Sequence, residues 1–345
     1  MLPLKPMKEP KNGRHENAQA GTARMNMNAD RAFSIVGDWG TSHLRLFLVH
    51  DNRIIDQCDG PGLAAAIADP GDAFMRATAG WRADHGALPV LLAGTVGSNI
   101  GWREVPYRPC PIACDKLVDG AVHFRHEGHD LAIIPGLSCI NPLGYADYMR
   151  GEETQILGAL MSDPALKSGR QIICLPGTHS KWVILQDGVV ERFFSSLTGE
   201  FYGIIKDHSV LLLGSAPDDG FHETAFIEGV KRICANKGAM LLNRLFEVRA
   251  RQISKELTVG EAASFLSGLL IGADVDAALR ILDWRHAGYD RVSIIATRHL
   301  SDLYALALDR YGVASQSLDG KQQSGTGLMA MAARLRDLER SVDVP

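Results

Sequence analysis

Gly37-Asp38-Trp39-Gly40-Thr41-Ser42 is a short polar loop between two apolar runs, Phe33 to Val36 before it and the alternating Leu44 to His50 after it. Asp51-Asn52 follows as turn chemistry and Ile54-Ile55 resumes, so the segment reads as strand, loop and hairpin. The plan returns later: Ile172 to Leu175 is apolar, Pro176-Gly177-Thr178-His179-Ser180 is a loop, Trp182 to Gln186 is strand-like, Asp187-Gly188 turns, and Val189 to Phe194 comes back. Asp-Gly between such runs is a strong hairpin signal. One strand, Gly-Thr loop and hairpin in each half predict two similar domains facing each other across a cleft.

The rest of the chain supplies helices and further strands. Helical periodicity fits Pro70 to His85, Arg150 to Met161, Thr224 to Ala235, Lys237 to Phe246, Glu261 to Leu282 and Gly327 to Leu338. Short buried runs at Val90 to Ala93, Leu131 to Ile134 and Val292 to Ile295 read as strands. The class is mixed α/β, with a tail over residues 1–31, a first domain over 32–150 and a second over 151–335, whose last helix has the option of packing back on the first. Residues 1–31 lack an apolar core of the kind a signal peptide carries and read as a disordered tail.

Composition narrows the partners. In 345 residues, 36 Lys and Arg balance 40 Asp and Glu, without the basic excess that phosphate-backbone binding leaves, so nucleic acid is not expected. The longest apolar run, near Phe265 to Ala273, is soon interrupted by Asp274 and Asp276, and no membrane span is expected. Six scattered cysteines read as thiols in a reducing cytoplasm. Cys110 and Cys114, four apart among prolines, read as packing residues. His123, His126 and His129 have a spacing that invites a metal, but their polar neighbours favour a hairpin. Monomer and homodimer both stay open.

The two Gly-Thr loops carry the sharpest chemical signal. A glycine lets backbone N–H groups approach a polyphosphate, and the neighbouring hydroxyl adds a hydrogen bond. Asp38, at the end of its strand, is placed to hold Mg²⁺, which prefers one or two carboxylates plus phosphate and water. Mg-ATP is the expected ligand. Neither a G-x-G-x-x-G after the first strand nor a G-x-x-x-x-G-K-[ST] occurs. Glu152 and Glu153 open the helix leading to the second loop, and either could serve as general base, although acidic residues favour any helix N-terminus. Ser98-Asn99-Ile100-Gly101-Trp102-Arg103 combines hydroxyl, amide, indole and guanidinium groups suited to a polar anion, or else is a loop around a packed Trp. Lys181 could reach a phosphate as a point charge.

With these motifs in hand the chain resembles the 2-dehydro-3-deoxygalactonokinases, sugar-acid kinases of the superfamily that includes actin, hexokinases and heat-shock ATPases. The resemblance runs from Ile35 to Ala333 and is carried by DWGTSHLR from Asp38, GTVGSNIGWREVPY from Gly94, IIPGL from Ile133, MRGEETQILGA from Met149, LPGTHSKWV from Leu175, TGE at Thr198, LFEVRA from Leu245 and FLSGLLIGA from Phe265. It implies two actin/hexokinase-like (ribonuclease H-like) domains with a central cleft, and ATP-dependent phosphorylation of the C6 hydroxyl of a 2-keto-3-deoxy sugar acid, of the galacto or gluco series. A sensor of the same fold that binds without turnover is the alternative from another class.

It further implies a first phosphate motif at Asp38, Gly40, Thr41 and Ser42, a second at Gly177, Thr178 and His179 with Lys181 beside it, and Mg²⁺ on Asp38. By analogy with a Gly-Asp-Gln-Gln segment in related kinases, it implies Glu152 as base, with Glu153 adjacent. The sugar acid would meet Ser98, Asn99, Gly101, Trp102 and Arg103. Where relatives carry an A-G-T-S-type adenosine turn, this chain has Ala296-Thr297-Arg298-His299, so Ala296 and Thr297 take the adenosine positions. Gly325-Thr326-Gly327 is expected to open the final helix as a second connecting element.

Overall fold

The computed structural model describes residues 33–212, 220–235 and 241–342. The tail expected over 1–31 and the start of the helix expected from Lys237 lie outside the described residues.

Three strands open the first half: β1 (Ser34–Trp39), β2 (His43–His50) and β3 (Arg53–Pro61). The β2–β3 hairpin turns through Asp51 and Asn52, both at positive φ, the geometry a two-residue hairpin loop requires. Helices α1 (Leu63–Ala66), α2 (Pro70–Ala77) and α3 (Ala79–His85) lead to β4 (Val90–Ala93). Asp69 caps α2 by accepting from the Asp72 N–H, with Pro70 at the first helical turn. There follow β5 (Arg108–Pro109), β6 (Val122–His126), β7 (His129–Ile133), β8 (Leu137–Ile140) and β9 (Ala146–Met149). One sheet has the order β3-β2-β1-β4-β7-β6, and β5-β8-β9 form a small separate one. The three expected histidines fall on the β6–β7 hairpin, where buried His129 bonds the Leu88 backbone through Nδ1.

The second half begins with α4 (Glu152–Ser162), then β10 (Arg170–Leu175), β11 (Ser180–Gln186) and β12 (Val189–Ser196). Asp187 and Gly188 turn the second hairpin at positive φ. Helices α5 (Thr198–His208), α6 (Glu223–Ala235), α7 (Leu241–Ile253), α8 (Val259–Ile281) and α9 (Trp284–Ala287) precede β13 (Val292–Ala296), α10 (Arg298–Arg310), β14 (Ser315–Asp319) and α11 (Gly320–Val342). The order β12-β11-β10-β13-β14 repeats β3-β2-β1-β4-β7, with two antiparallel pairings and then two parallel ones. The duplication expected from two loops therefore extends across both sheets.

Strand alternation distributes the core. On β1 and β4, Ile35, Trp39, Val90 and Leu92 pack on the outer face with α2, while Val36, Leu91 and Ala93 point inward. On β10, Ile172 and Cys174 pack outward under α10, and Ile173 and Leu175 point inward. The inward faces of both sheets share one cluster with α4 and α11, contributed by Ile156, Ala159, Leu328 and Met331. These two helices cross at backbone contact: a Cβ on Gly158 would collide with the Gln323 carbonyl and one on Gly327 with the Thr154 carbonyl. Gly325-Thr326-Gly327 thus sits inside α11, which starts at Gly320, rather than opening it. The small residues serve the crossing instead of a helix start.

Helix α8 has 23 residues and an 18-residue window of mean hydropathy 1.5, long and apolar enough to cross a membrane by composition although Asp274 interrupts the run. That window is 72% buried, packing through Phe265, Leu266 and Leu269, which accounts for its hydrophobicity as that of a core helix.

Candidate active site

Asp38 and Val36 lie on the same side of β1, so the alternation that buries Val36 in the cluster shared with α4 and α11 also turns Asp38 inward, beside Gly151 at the start of α4. Two glycines leave room for its carboxylate. Gly94 (φ 96°) and Gly151 (φ 110°) adopt backbone that only glycine takes readily, and a Cβ there would lie 2.9 Å and 3.4 Å from Asp38 Oδ1. Burial pushes the Asp38 pKa from 3.8 up to about 6; the Arg45 charge opposes the shift and Glu152 adds to it. Arg45 sits directly across the ladder from Asp38. The sequence reading passed over this arginine, although the alternation of Leu44, Arg45, Leu46 was its signal. In the loop itself the Gly40 N–H donates to the His43 carbonyl at 2.9 Å, and exposed Thr41 meets Thr95, hydroxyl to hydroxyl, at 3.2 Å. Ser42 is exposed beside it.

The two glutamates at the start of α4 have different surroundings. Glu152, part-exposed, accepts from the Arg150 N–H at 2.9 Å through one oxygen. Glu153 is fully buried, and both its oxygens take the Gly151 N–H, at 2.9 and 2.7 Å. Burial, with Glu152 nearby, raises its pKa from 4.5 to about 8. One carboxylate of the expected pair therefore borders the crevice, and the other is folded under the loop that carries it.

At the second loop, Gly177 is part-exposed, and Thr178 and His179 are exposed. The loop is held by α5: the Glu200 N–H donates to the Thr178 carbonyl at 2.8 Å, and the Glu200 carboxylate pairs with His179 Nε2 at 2.6 Å. Gly199 is required here, since a Cβ would strike the Gly177 carbonyl. Lys181, read as a phosphate ligand, is instead 6% exposed and spends its charge on the Tyr148 carbonyl (2.7 Å) and Ser195 Oγ (2.6 Å). Ser195 Oγ passes the contact to the Asp147 carboxylate at 2.6 Å. This network joins β11 and β12 to β9, the strand that leads into Arg150 and Glu152, and so brings the second loop's strand to the edge of the first site.

Beside the second loop opens a cavity of about 630 Å³, walled by Gly177, Gly199, Tyr202, Phe221, Ser264 and His299. Asp274, buried on α8, organises its floor: it accepts from Trp182 Nε1 (3.0 Å), Thr198 Oγ1 (2.9 Å) and Tyr304 Oη (2.6 Å). An acid inside an otherwise apolar helix was the sequence signal for this tie. Of the segment expected to touch adenosine, His299 faces the cavity, with Leu300 just beyond the segment, whereas Ala296 ends β13 in the core and Thr297 is the exposed residue before α10.

The expected sugar-acid segment divides in two. Ser98 Oγ is buried without a partner, Asn99 is exposed and Gly101 packs on the Val96 backbone, just past Gly94, which borders Asp38, and Thr95, which meets Thr41. Trp102 turns to the outer face of the sheet, against Trp39, Phe74, Phe124 and His126 at ring distances of 5.0–6.1 Å. Arg103 lies over Phe124 at 5.3 Å. Neither side chain is gathered with Asp38 and Glu152, because the aromatic cluster under α2 claims the indole and its neighbour follows.

A duplicated α/β sheet, paired Gly-Thr loops and a carboxylate at the helix joining the halves define a two-domain kinase of the actin/hexokinase-like class. The chain belongs to the 2-keto-3-deoxy-galactonokinase family, whose sequence profile matches residues 38–331. It is 32% identical over 299 residues to the Rhizobium meliloti (strain 1021) protein named "Probable 2-dehydro-3-deoxygalactonokinase DgoK1", covering 86% of this chain and 95% of that one. It is 29% identical over 297 residues to the 2-dehydro-3-deoxygalactonokinase of Escherichia coli (strain K12), covering 86% and 96%. A crystal structure of a 2-dehydro-3-deoxygalactonokinase candidate from Sinorhizobium meliloti superposes with a TM-score of 0.76 at 33% identity, over 87% of this chain and 95% of that one.

Proposed function

We propose that this protein transfers the γ-phosphoryl group of ATP to the C6 hydroxyl of 2-dehydro-3-deoxygalactonate, giving the 6-phosphate. Membership of the family supports the substrate class. The observation that carries the reading is local: Asp38 and the first turn of α4, from opposite sides of the domain junction, meet across two obligatory glycines. Phosphoryl transfer asks a protein mainly for alignment and charge neutralisation, and this junction supplies a carboxylate pair beside a hydroxyl-bearing loop.

In this reading the nucleoside occupies the 630 Å³ cavity, and the phosphates extend past Gly177 and Thr178 toward Thr41. Arg45 offsets their charge from the first loop. Asp38 suits Mg²⁺, which needs few protein ligands and keeps water and phosphate for the rest; when bound, the ion neutralises phosphate oxygens. Glu152 accepts the C6 proton as the hydroxyl attacks. Glu153, buried and bonded to the Gly151 N–H, holds the turn that presents Glu152. Domain closure excludes water from the γ-phosphate. Six free thiols suit a reducing cytoplasm.

Coupled ADP release across a panel of 2-keto-3-deoxy sugar acids tests this. Turnover is expected with the galacto acid, and slower turnover with the gluco epimer. Binding of acid and ATP with no ADP formed would reject the kinase reading and leave a sensor.

A further inference from the structure

A sugar acid carries a carboxylate as well as the hydroxyl to be phosphorylated, and the crevice must supply a cation for it. Of the other cations, Lys181 is held by Tyr148 and Ser195, Arg45 stands across the ladder from Asp38 and serves the phosphates in the proposed reading, and Arg103 lies over the outer aromatic cluster. Arg150 is different. It precedes Gly151 and Glu152, and only its Nη2 has an acceptor, the Val105 carbonyl at 2.7 Å. Nε and Nη1 are shut from solvent and meet no acceptor. No carboxylate pairs with it among the described residues, and its nearest acidic neighbours serve the α4 turn.

A guanidinium with two unmet donors is an expensive arrangement in a protein interior, and it persists where a ligand completes it. The surroundings form a slot. Nη1 lies against Gly97, where a Cβ would come within 2.7 Å. The next residue, Ser98, holds a second buried, unpartnered oxygen. The outer cover is the Tyr107 ring, 4.2 Å from the guanidinium carbon and 5.0 Å from the Tyr148 ring, and Tyr107 is itself 37% exposed.

We infer that Arg150, with Ser98 beside it, binds the carboxylate of the sugar-acid substrate and so selects acids over neutral sugars, Tyr107 moving aside to admit it. This deepens the proposed function and rests on it for the identity of the acid. A guanidinium gives a carboxylate charge-assisted bonds in a planar fork, here from Nη1 with the second hydrogen of Nη2, whose first goes to Val105, and its position two residues before the base sets the two ends of the substrate at a fixed separation.

The test compares 2-dehydro-3-deoxygalactonate with its neutral primary amide, by calorimetric binding without nucleotide and by ADP release with it, for wild type, Arg150→Gln, Arg150→Lys and Ser98→Ala. Wild type is expected to prefer the acid by more than tenfold in binding and in kcat/KM. Arg150→Gln should bring the ratio near one while KM for ATP holds. Arg150→Lys, which keeps charge and stem and serves if Arg150→Gln folds poorly, should lower the ratio several-fold, and Ser98→Ala less. An acid-to-amide ratio unchanged in both Arg150 variants overturns the assignment. The two readings fail separately: acid binding that depends on Arg150 with no ADP formed sinks the kinase and keeps this inference, whereas turnover with an unaltered ratio does the reverse.

Discussion

The two Gly-Thr loops occupy equivalent places in two equivalent sheets, yet they are equipped differently. Two residues before its Gly-Thr, the first has Asp38, facing the crevice; the second has Leu175, buried in the shared core. Across the ladder, the first has Arg45 opposite Asp38, and the second has Lys181, its charge turned into a structural tie. The second loop in turn adjoins the large cavity. Duplication supplied two similar loops, and divergence put a carboxylate beside one and the cavity beside the other.

Giving the first loop the second loop's residue breaks this comparison most severely. Asp38→Leu should lower kcat by roughly 10³ or more with the fold kept, as read by ADP release and circular dichroism; activity within tenfold of wild type would show the halves to be interchangeable. Glu152→Gln is next, with a kcat loss of roughly 10²–10⁴ and KM for the acid held, the signature of a lost proton acceptor; a loss confined to KM would reassign it to binding. Gly199→Ala acts on the other half. Its Cβ must displace the Gly177 carbonyl, so KM for ATP should rise about tenfold, in line with the ~1–3 kcal/mol of overpacking, with KM for the acid nearly constant.

A smaller effect follows from Glu153. Its pKa is about 8 in the folded protein against 4.5 in the unfolded chain, so between those values only the folded state keeps the proton. That contribution to stability is complete below pH 4.5 and is lost as the pH rises toward 8. The melting temperature of Glu153→Gln should therefore vary less over that window than wild type's, and equal slopes would place the proton elsewhere. Least affected is Trp102→Phe: kcat and KM should stay within about twofold while thermal stability drops by a few degrees, since its ring packs under α2.

Much of the architecture was legible because it depends on short-range rules. Turn chemistry at Asp51-Asn52 and Asp187-Gly188 fixed both hairpins, and apolar runs at Val90 and Val292 marked buried parallel strands. The site was legible where a side chain acts through backbone position, as with Asp38 at a strand end. It was not legible where orientation decides: Trp102 faces outward and Lys181 inward because of residues far away in sequence, Phe124 and Tyr148. Two adjacent glutamates differ only by about 100° around the helix, so no pattern of letters separates Glu152 from Glu153. Arg45 needed a strand register, and Arg150 needed a count of unmet donors.

The final helix has a consequence for biosynthesis. Leu328, Met331 and Leu335 of α11 complete the same packed layer as Val36, Phe47 and Leu91 near the other end of the chain, and Arg336 reaches Asn52. A nascent chain on the ribosome must hold that inward sheet face uncovered until α11 has been made and has emerged. The sheet built from β1, β2 and β4 therefore cannot complete its packing before then, and an excised 33–150 fragment would be expected to aggregate where the whole chain does not.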